Sequence, residues 1–171
     1  PALRRLSTTL GLTLHLVTDR RSPRFMNRFG VREVAEIVAA WGIEVRVHEW
    51  SVRNLRSAAM AADLAIVPVE LDDPYTVGKP ENRMRVFWRL GLPVVVSDTP
   101  SHRRAMNVAG LSDQALCTTA DDWMKALGRY AEDHELRSVN GEIGHVAALG
   151  PYGDPMVLAG WDGVLSSLGV L

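Results

Sequence analysis

The strongest constraint on the fold is a stretch from Ala62 to Asp98 in which two short apolar runs enclose a polar loop and a helical pattern. The first run is 64–69 (LAIVPV) and the second is 93–96 (PVVV). Both are apolar on successive residues, which is typical of strands that are covered on both faces of a parallel sheet. The stretch therefore predicts a strand, a loop, a helix and a second strand in such a sheet.

The rest of the chain continues this alternation. Ser51 is a favourable helix N-cap, and Thr119 with Asp122 fits a capping box. Strands that alternate with helices imply an open parallel sheet wound on both faces, so the fold class is α/β and Rossmann-like. The expected strands are 12–18, 43–49, 64–69, 93–96 and 115–118, and the expected helices are 31–41, 52–61, 82–90, 102–109, 120–132 and, weakened by Gly141 and Gly144, 135–148.

The length of 171 residues is enough for one substantial core and short for two. We expect one α/β domain at 1–150, followed at 151–171 by a linker and a C-terminal helix. The linker is expected at 150–160 because this segment is rich in Gly and Pro, and the helix at 161–168. Pro1 in place of an initiator Met suggests that the sequence is cut from a larger protein.

Charge, cysteine content and hydropathy exclude several classes of protein. A formal net charge of -1 lacks the footprint of a nucleic-acid-binding protein, so no nucleic acid partner is expected. Cys117 is the only cysteine, which excludes an internal disulfide and predicts a buried thiol. No apolar run reaches the ~20 residues of a spanning helix, so we expect no integral membrane segment and a cytoplasmic protein.

The histidines do not form a recognisable metal site in the sequence. His15 and His48 fall within predicted strands, with no cysteine or carboxylate at metal-ligand spacing, and are interpreted as structural. His102 is a candidate for ligand contact because it starts a helix beside the central loop. No metal and no other cofactor is therefore predicted.

The central loop, residues 70–81, is the best candidate for a ligand site because ligands of such sheets bind beyond the carboxyl ends of the strands. Lys79 lies just before the helix that is predicted to start near Asn82. A helix N-terminus carries about half a positive charge and favours a phosphate. Ser101 opens a second helix at the neighbouring strand, with two arginines in its first turn. Two such openings could hold a diphosphate; the alternative is that they are ordinary caps and solvated cations.

The order of these segments, ADLAIVPVE followed by KPENRMRVFWRLGLPVVVSDTPSHRRAM, resembles the carboxyl-terminal half of a family-4-like, retaining GT-B glycosyltransferase (glycosyl transferases group 1). In that family a strand ending in Pro leads to an acidic loop, a lysine, an Asn-Arg or Asn-Lys helix start, and then Gly-x-Pro-Val-Val. The segment EDHELRSVNGEIG and the closing helix at Trp161 also match. The resemblance covers most of the chain from Ala62 onward and implies one half of a GT-B fold.

The resemblance implies a domain that holds a nucleotide-diphosphate sugar for transfer to an acceptor, with no metal required. Arg20 and Arg24, in the basic loop after the first strand, are added as phosphate contacts on position alone. The donor-binding residues that the resemblance implies are Lys79, Asn82 and Arg83 at the first helix opening and Glu70 in the acidic loop near the sugar or ribose. Ser101 is added from its position at the second helix opening.

The chain departs from the family at the two positions whose side chains would bind the ribose of the nucleotide. Many members carry a glutamate five residues before the glycine of this motif and a second acid eight residues earlier, where this chain has Val86 and Gly78. The ribose would then need another acceptor, either Glu81 or Glu70. The alternative hypothesis is a degenerate GT-B-like module that binds no nucleotide and serves in assembly or regulation.

The resemblance also implies a partner. GT-B enzymes form their active site between two domains, and the amino-terminal domain supplies acceptor contacts and often a catalytic acid or base. We therefore expect an N-terminal GT-B domain of the same protein as partner, an isolated chain with little or no turnover, and peripheral membrane association only through that domain. The catalytic residues stay unassigned. A receiver-type phosphorylation domain shares the wound sheet, but the acidic cluster after the first strand and the lysine after the fifth are missing.

Overall fold

The computed structural model describes residues 2–22 and 32–170, which form strands and helices. The predicted α/β class is confirmed, with helices beside small, open, parallel sheets. The elements are α1 (Ala2–Leu10), β1 (Thr13–Thr18), β2 (Arg21–Ser22), β3 (Arg32–Glu33), α2 (Val34–Ala39), β4 (Glu44–Glu49), α3 (Val52–Met60), β5 (Ala65–Val67), α4 (Pro74–Val77), α5 (Asn82–Arg89), β6 (Val94–Ser97), α6 (Pro100–Ala109), α7 (Ser112–Ala115), β7 (Leu116–Cys117), α8 (Ala120–Glu132), α9 (His134–Leu149) and α10 (Asp154–Ser167).

The five expected parallel strands are divided between two sheets. β1 pairs with β4, and β6 lies between β5 and β7; the short strands β2 and β3 pair antiparallel. Among the described residues no ladder of hydrogen bonds joins the β1–β4 pair to the three-stranded sheet. None of the residues of β1 and β4 is fully buried, and β4 carries charges at Glu44, Arg46 and Glu49. This pair therefore lies at the periphery, and the core forms on the three-stranded sheet.

The core occupies both faces of the three-stranded sheet, as the apolar run at 93–96 predicts. Val94 and Val96 belong to the main core, with Met84 and Trp88 of α5 and buried residues of α6 and α9. Val95 points to the other face, where it joins buried residues of α1, β7 and α8. The valines of β6 are buried on successive residues because each face of the sheet is covered by helices.

Local signals in the sequence fix several helix ends. Ser51 caps α3, since its side chain accepts from the backbone N–H of Asn54 at 3.0 Å. The capping box of Thr119 and Asp122 is present at the start of α8. Gly110 ends α6 with a φ of 72°, in the left-handed region that glycine adopts without strain.

The C-terminal segment is where prediction and structure differ most. The expected linker at 150–160 is largely helical, because α10 begins at Asp154 and Pro155 occupies its first turn, where a missing N–H costs no helical hydrogen bond. Helix α1 was not predicted either. None of the helices in residues 2–22 and 32–170 is both long and apolar enough to cross a membrane.

Candidate functional site

The candidate site lies where β5 and β6 end. β5 stops at Val67, immediately before Pro68, which has no N–H for a ladder. Beyond Pro68, the side chain of Ser97 takes the place of the backbone hydrogen bonds between β5 and β6. Its Oγ accepts from Val69 N at 2.8 Å and donates to Val69 O at 3.0 Å. This bridge fixes the start of the central loop against the end of β6.

The central loop is ordered by its own polar contacts. Asp73 caps the short helix α4, where its Oδ1 accepts from the backbone N–H of Tyr75 at 3.1 Å. Thr76 Oγ1 donates to the carbonyl oxygen of Glu70 at 2.9 Å. The ammonium group of Lys79 lies 4.7 Å from the centre of the Tyr75 ring. The side chains of Glu70, Tyr75 and Lys79 are exposed on this loop.

The N-terminus of α5 has no side-chain cap. Glu81 occupies the N-cap position without a capping hydrogen bond. Its buried carboxylate instead accepts from Arg104 of α6, with Nη2 and Oε2 3.2 Å apart. Asn82 and Arg83 are exposed, and within the described part of the chain their side chains have no hydrogen-bond or ion-pair partner. The first turn of α5 therefore has no capping side chain; Lys79 lies three residues before Asn82, and Arg83 lies within the turn.

The N-terminus of α6 lies next to that of α5 but is closed by its own residues. The N-cap is Thr99 rather than Ser101, and Thr99 Oγ1 accepts from His102 N at 3.2 Å. Ser101 is buried in the first turn, and its Oγ donates to the carbonyl oxygen of Lys79 at 2.7 Å. The two helix openings are thus adjacent, as predicted, but only the α5 opening is free to receive a ligand.

Four further residues lie at the α6 opening. His102 is 3 % exposed, and its Nδ1 lies 2.8 Å from the carbonyl oxygen of Ser97. Burial lowers the pKa of His102, against the hydrogen bond to Ser97 and the charges of Glu81 and Asp98, which raise it. Arg103 pairs with Asp98, and that hydrogen bond raises the pKa of the guanidinium. Arg104 was expected only as one of the two arginines in the first turn of α6, and its contact with Glu81, 23 positions away, leaves no pattern in one sequence. Asp98 was not among the candidate site residues.

The structure therefore brings together five of the predicted site residues: Lys79, Glu81, Asn82, Arg83 and Ser101. Glu70 lies in the same loop, and its side chain is exposed. The other candidate ribose acceptor, Glu81, is buried, and its carboxylate is paired with Arg104. Arg20 forms an exposed ion pair with Glu49 at 3.1 Å, at the end of β4. Arg24 lies outside the described residues.

The remaining candidates for chemistry lie on strands β1, β4 and β7. His15 and His48 lie on adjacent strands with ring nitrogens 3.2 Å apart, and burial, together with the charges of His48 and Arg46, lowers the pKa of His15. Cys117 is fully buried, as predicted, and burial raises the pKa of its thiol to about 12. In the ranges 2–22 and 32–170, no three residues of the types His, Cys, Asp and Glu form a group that could hold a metal ion.

Comparison with protein-family models, with curated proteins and with solved structures gives no match to the chain. The site combines an uncapped helix N-terminus, a lysine and an arginine at the carboxyl ends of parallel strands, which are features that favour an anion.

Proposed function

We propose that the chain is the donor-binding half of a GT-B-type glycosyltransferase. It holds a nucleotide-diphosphate sugar at the N-terminus of α5 and transfers the sugar together with an N-terminal domain of the same protein. The observation that carries the proposal is the uncapped first turn of α5 flanked by the exposed side chains of Lys79 and Arg83. Backbone amides and the helix dipole favour a phosphate at such a position, and the sequence resemblance points to the same residues.

Each residue of the site has a role in this proposal. Lys79, Arg83 and the first amides of α5 bind the diphosphate and stabilise the charge that develops on it when the sugar leaves. Arg104 neutralises Glu81, whose carboxylate would otherwise repel the phosphates. Ser101 holds the backbone of Lys79. No metal is needed to balance the diphosphate, and the catalytic acid or base comes from the other domain.

Calorimetric titration with uridine, guanosine and adenosine diphosphates and their sugar conjugates tests this proposal. We expect Lys79→Ala and Arg83→Ala each to weaken binding about 10-fold or more, because each removes a charge-assisted contact. Arg56→Ala is the matched control, since Arg56 is an exposed arginine on α3. Failure of every nucleotide to bind at millimolar concentration, or an equal loss in the control, would contradict the proposal.

A second candidate function is a GT-B-derived module that binds no nucleotide and serves in assembly. It is favoured by the residues at the two positions where the resemblance expects acids: Val86, which is 39 % exposed on α5, and Gly78. Neither has a side chain that can accept a hydrogen bond from a ribose. The titration with nucleotides separates the two candidates, because only the first predicts binding at α5.

Both candidates need a partner, and α10 is where we propose that it binds. α10 contains no buried residue, although a 14-residue helix of this kind is marginal without packing. Its start is anchored to α5 by the ion pair of Arg89 with Asp154 and by a hydrogen bond from Arg85 to the carbonyl oxygen of Tyr152. Apolar side chains with exposed fractions between 43 % and 70 % follow along α10 and its C-cap: Met156, Val157, Leu158, Trp161, Val164 and Leu168.

Amide hydrogen exchange tests the role of α10. In the isolated chain we expect its amides to exchange rapidly, because few contacts oppose local opening, and to be slowed when the proposed N-terminal domain is present. The amides of α9, which is packed against α5, are the internal control and should be protected in both samples. An α10 that is already protected alone, or unaffected by the domain, would contradict this placement.

A further inference from the structure

The central loop carries an aromatic ring that the proposed function leaves without a role. Tyr75 is 77 % exposed, more than any other large apolar side chain in the described part of the chain. It lies in α4, and its ring faces the ammonium group of Lys79 at 4.7 Å. A large exposed ring beside a phosphate-binding lysine is a surface on which a flat, electron-rich group can stack.

The backbone around Tyr75 is held in place by hydrogen bonds from both sides. Asp73 accepts from the N–H of Tyr75, and Thr76 ties the turn to the carbonyl oxygen of Glu70. On the other side, Ser101 holds the carbonyl oxygen of Lys79. The ring thus stands on an ordered loop, and with only two rotatable side-chain bonds it loses little entropy on binding a ligand.

The central loop and the first turn of α5 carry groups suited to each of the three parts of a nucleotide. Lys79 and the free amides of α5 suit the phosphates, and the exposed carboxylate of Glu70 suits a ribose hydroxyl. The ring of Tyr75 remains for the base. Every base has a π-face, so stacking on tyrosine needs no further hydrogen-bonding partner.

We propose that Tyr75 is the base-stacking residue of the donor site and that Lys79 turns from the Tyr75 ring to the diphosphate when a nucleotide binds. This inference rests on the proposed function. It adds the source of selectivity for a nucleotide over a bare diphosphate, which the cations and amides of α5 do not distinguish.

The test compares inorganic pyrophosphate with uridine, guanosine and adenosine diphosphates by calorimetry, in the wild-type chain and in Tyr75→Ala and Tyr75→Phe. We expect Tyr75→Ala to weaken binding of the nucleotides at least about 5-fold and to leave pyrophosphate binding unchanged, whereas Tyr75→Phe keeps both affinities. Trp50→Ala is the control, since Trp50 is an exposed ring outside the loop.

Two results would overturn the inference while leaving the proposed function intact. One is a wild-type affinity for nucleotides in Tyr75→Ala. The other is an equal loss for pyrophosphate and nucleotides, which would mean that Tyr75 acts only by positioning Lys79. A wild-type chain that binds neither pyrophosphate nor any nucleotide would instead overturn the proposed function, and this inference with it.

Discussion

Replacing Trp88 with alanine is expected to lower the free energy of unfolding by about 3–5 kcal/mol, the range for large aromatic residues in a core. Trp88 is fully buried in the main core, on the face of α5 that packs against α9. The space left by the indole is bordered by the backbone of α9 at Gly144, which has no side chain to fill it. Urea denaturation followed by circular dichroism measures the change.

Two variants make this expectation specific to Trp88. The indole N–H is the buried side-chain polar atom without a partner in the described part of the chain. Trp88→Phe therefore loses no hydrogen bond, and we expect it to cost less than half as much as Trp88→Ala. Trp50→Ala, at a ring that is 59 % exposed, should change stability by no more than about 0.5 kcal/mol. Equal effects of Trp88→Ala and Trp50→Ala would show that α5 is not packed as described.

Gly141→Ala is expected to destabilise the protein by about 1–3 kcal/mol through overpacking. Helix propensity alone predicts the opposite sign, because alanine is favoured over glycine by about 1 kcal/mol in a helix interior. The deciding feature is the contact between α9 and the end of α5, where a Cβ on Gly141 would overlap the carbonyl oxygen of Gly91. That oxygen belongs to the backbone and has no rotamer through which to move away.

Gly128→Ala is the matched control for Gly141→Ala. Gly128 lies inside α8, and a Cβ added there meets no atom within 4 Å among the described residues. Propensity then acts alone, and we expect a gain of up to about 1 kcal/mol. A stabilising Gly141→Ala, measured by thermal or urea denaturation, would mean that α9 does not approach Gly91 this closely.

These glycines show why part of the fold is readable from the sequence and part is not. Strand β6, the caps at Ser51 and Thr119, and helix α8 were predicted because their signals are local: an apolar run, or a side chain that bonds an amide three residues away. Gly141 and Gly144 were interpreted as weakening α9. Their role depends on which helix crosses α9, which is set by tertiary packing.

The candidate site, too, has features that the sequence predicts and features that depend on tertiary packing. The adjacent helix openings were predicted because parallel strands deliver them to one edge of a sheet. Ser101 was predicted from the sequence to open α6. The backbone conformation decides that Thr99 caps the helix, which leaves Ser101 to hold Lys79. Likewise, the pairing of Glu81 with Arg104 joins two helices that are separate in the sequence.

The second half of α10 was predicted as a helix at 161–168, whereas its first half was assigned to a linker because the segment 150–160 is rich in Gly and Pro. Pro155 lies in the first turn, where proline is tolerated, and Gly160 has nothing within 4 Å of an added Cβ in the described structure. Composition is therefore a weak guide when the residues that usually break a helix occupy permissive positions.

We propose that a diphosphate binds at the first turn of α5. The most direct measurement is a ¹H–¹⁵N correlation spectrum recorded during titration with a nucleoside diphosphate. We expect saturable shifts in the backbone amides of Asn82, Arg83 and Met84 at the start of α5, with the amides of α8 unchanged. Shifts that are absent at millimolar nucleotide, or that occur without any change in the first turn of α5, would contradict it.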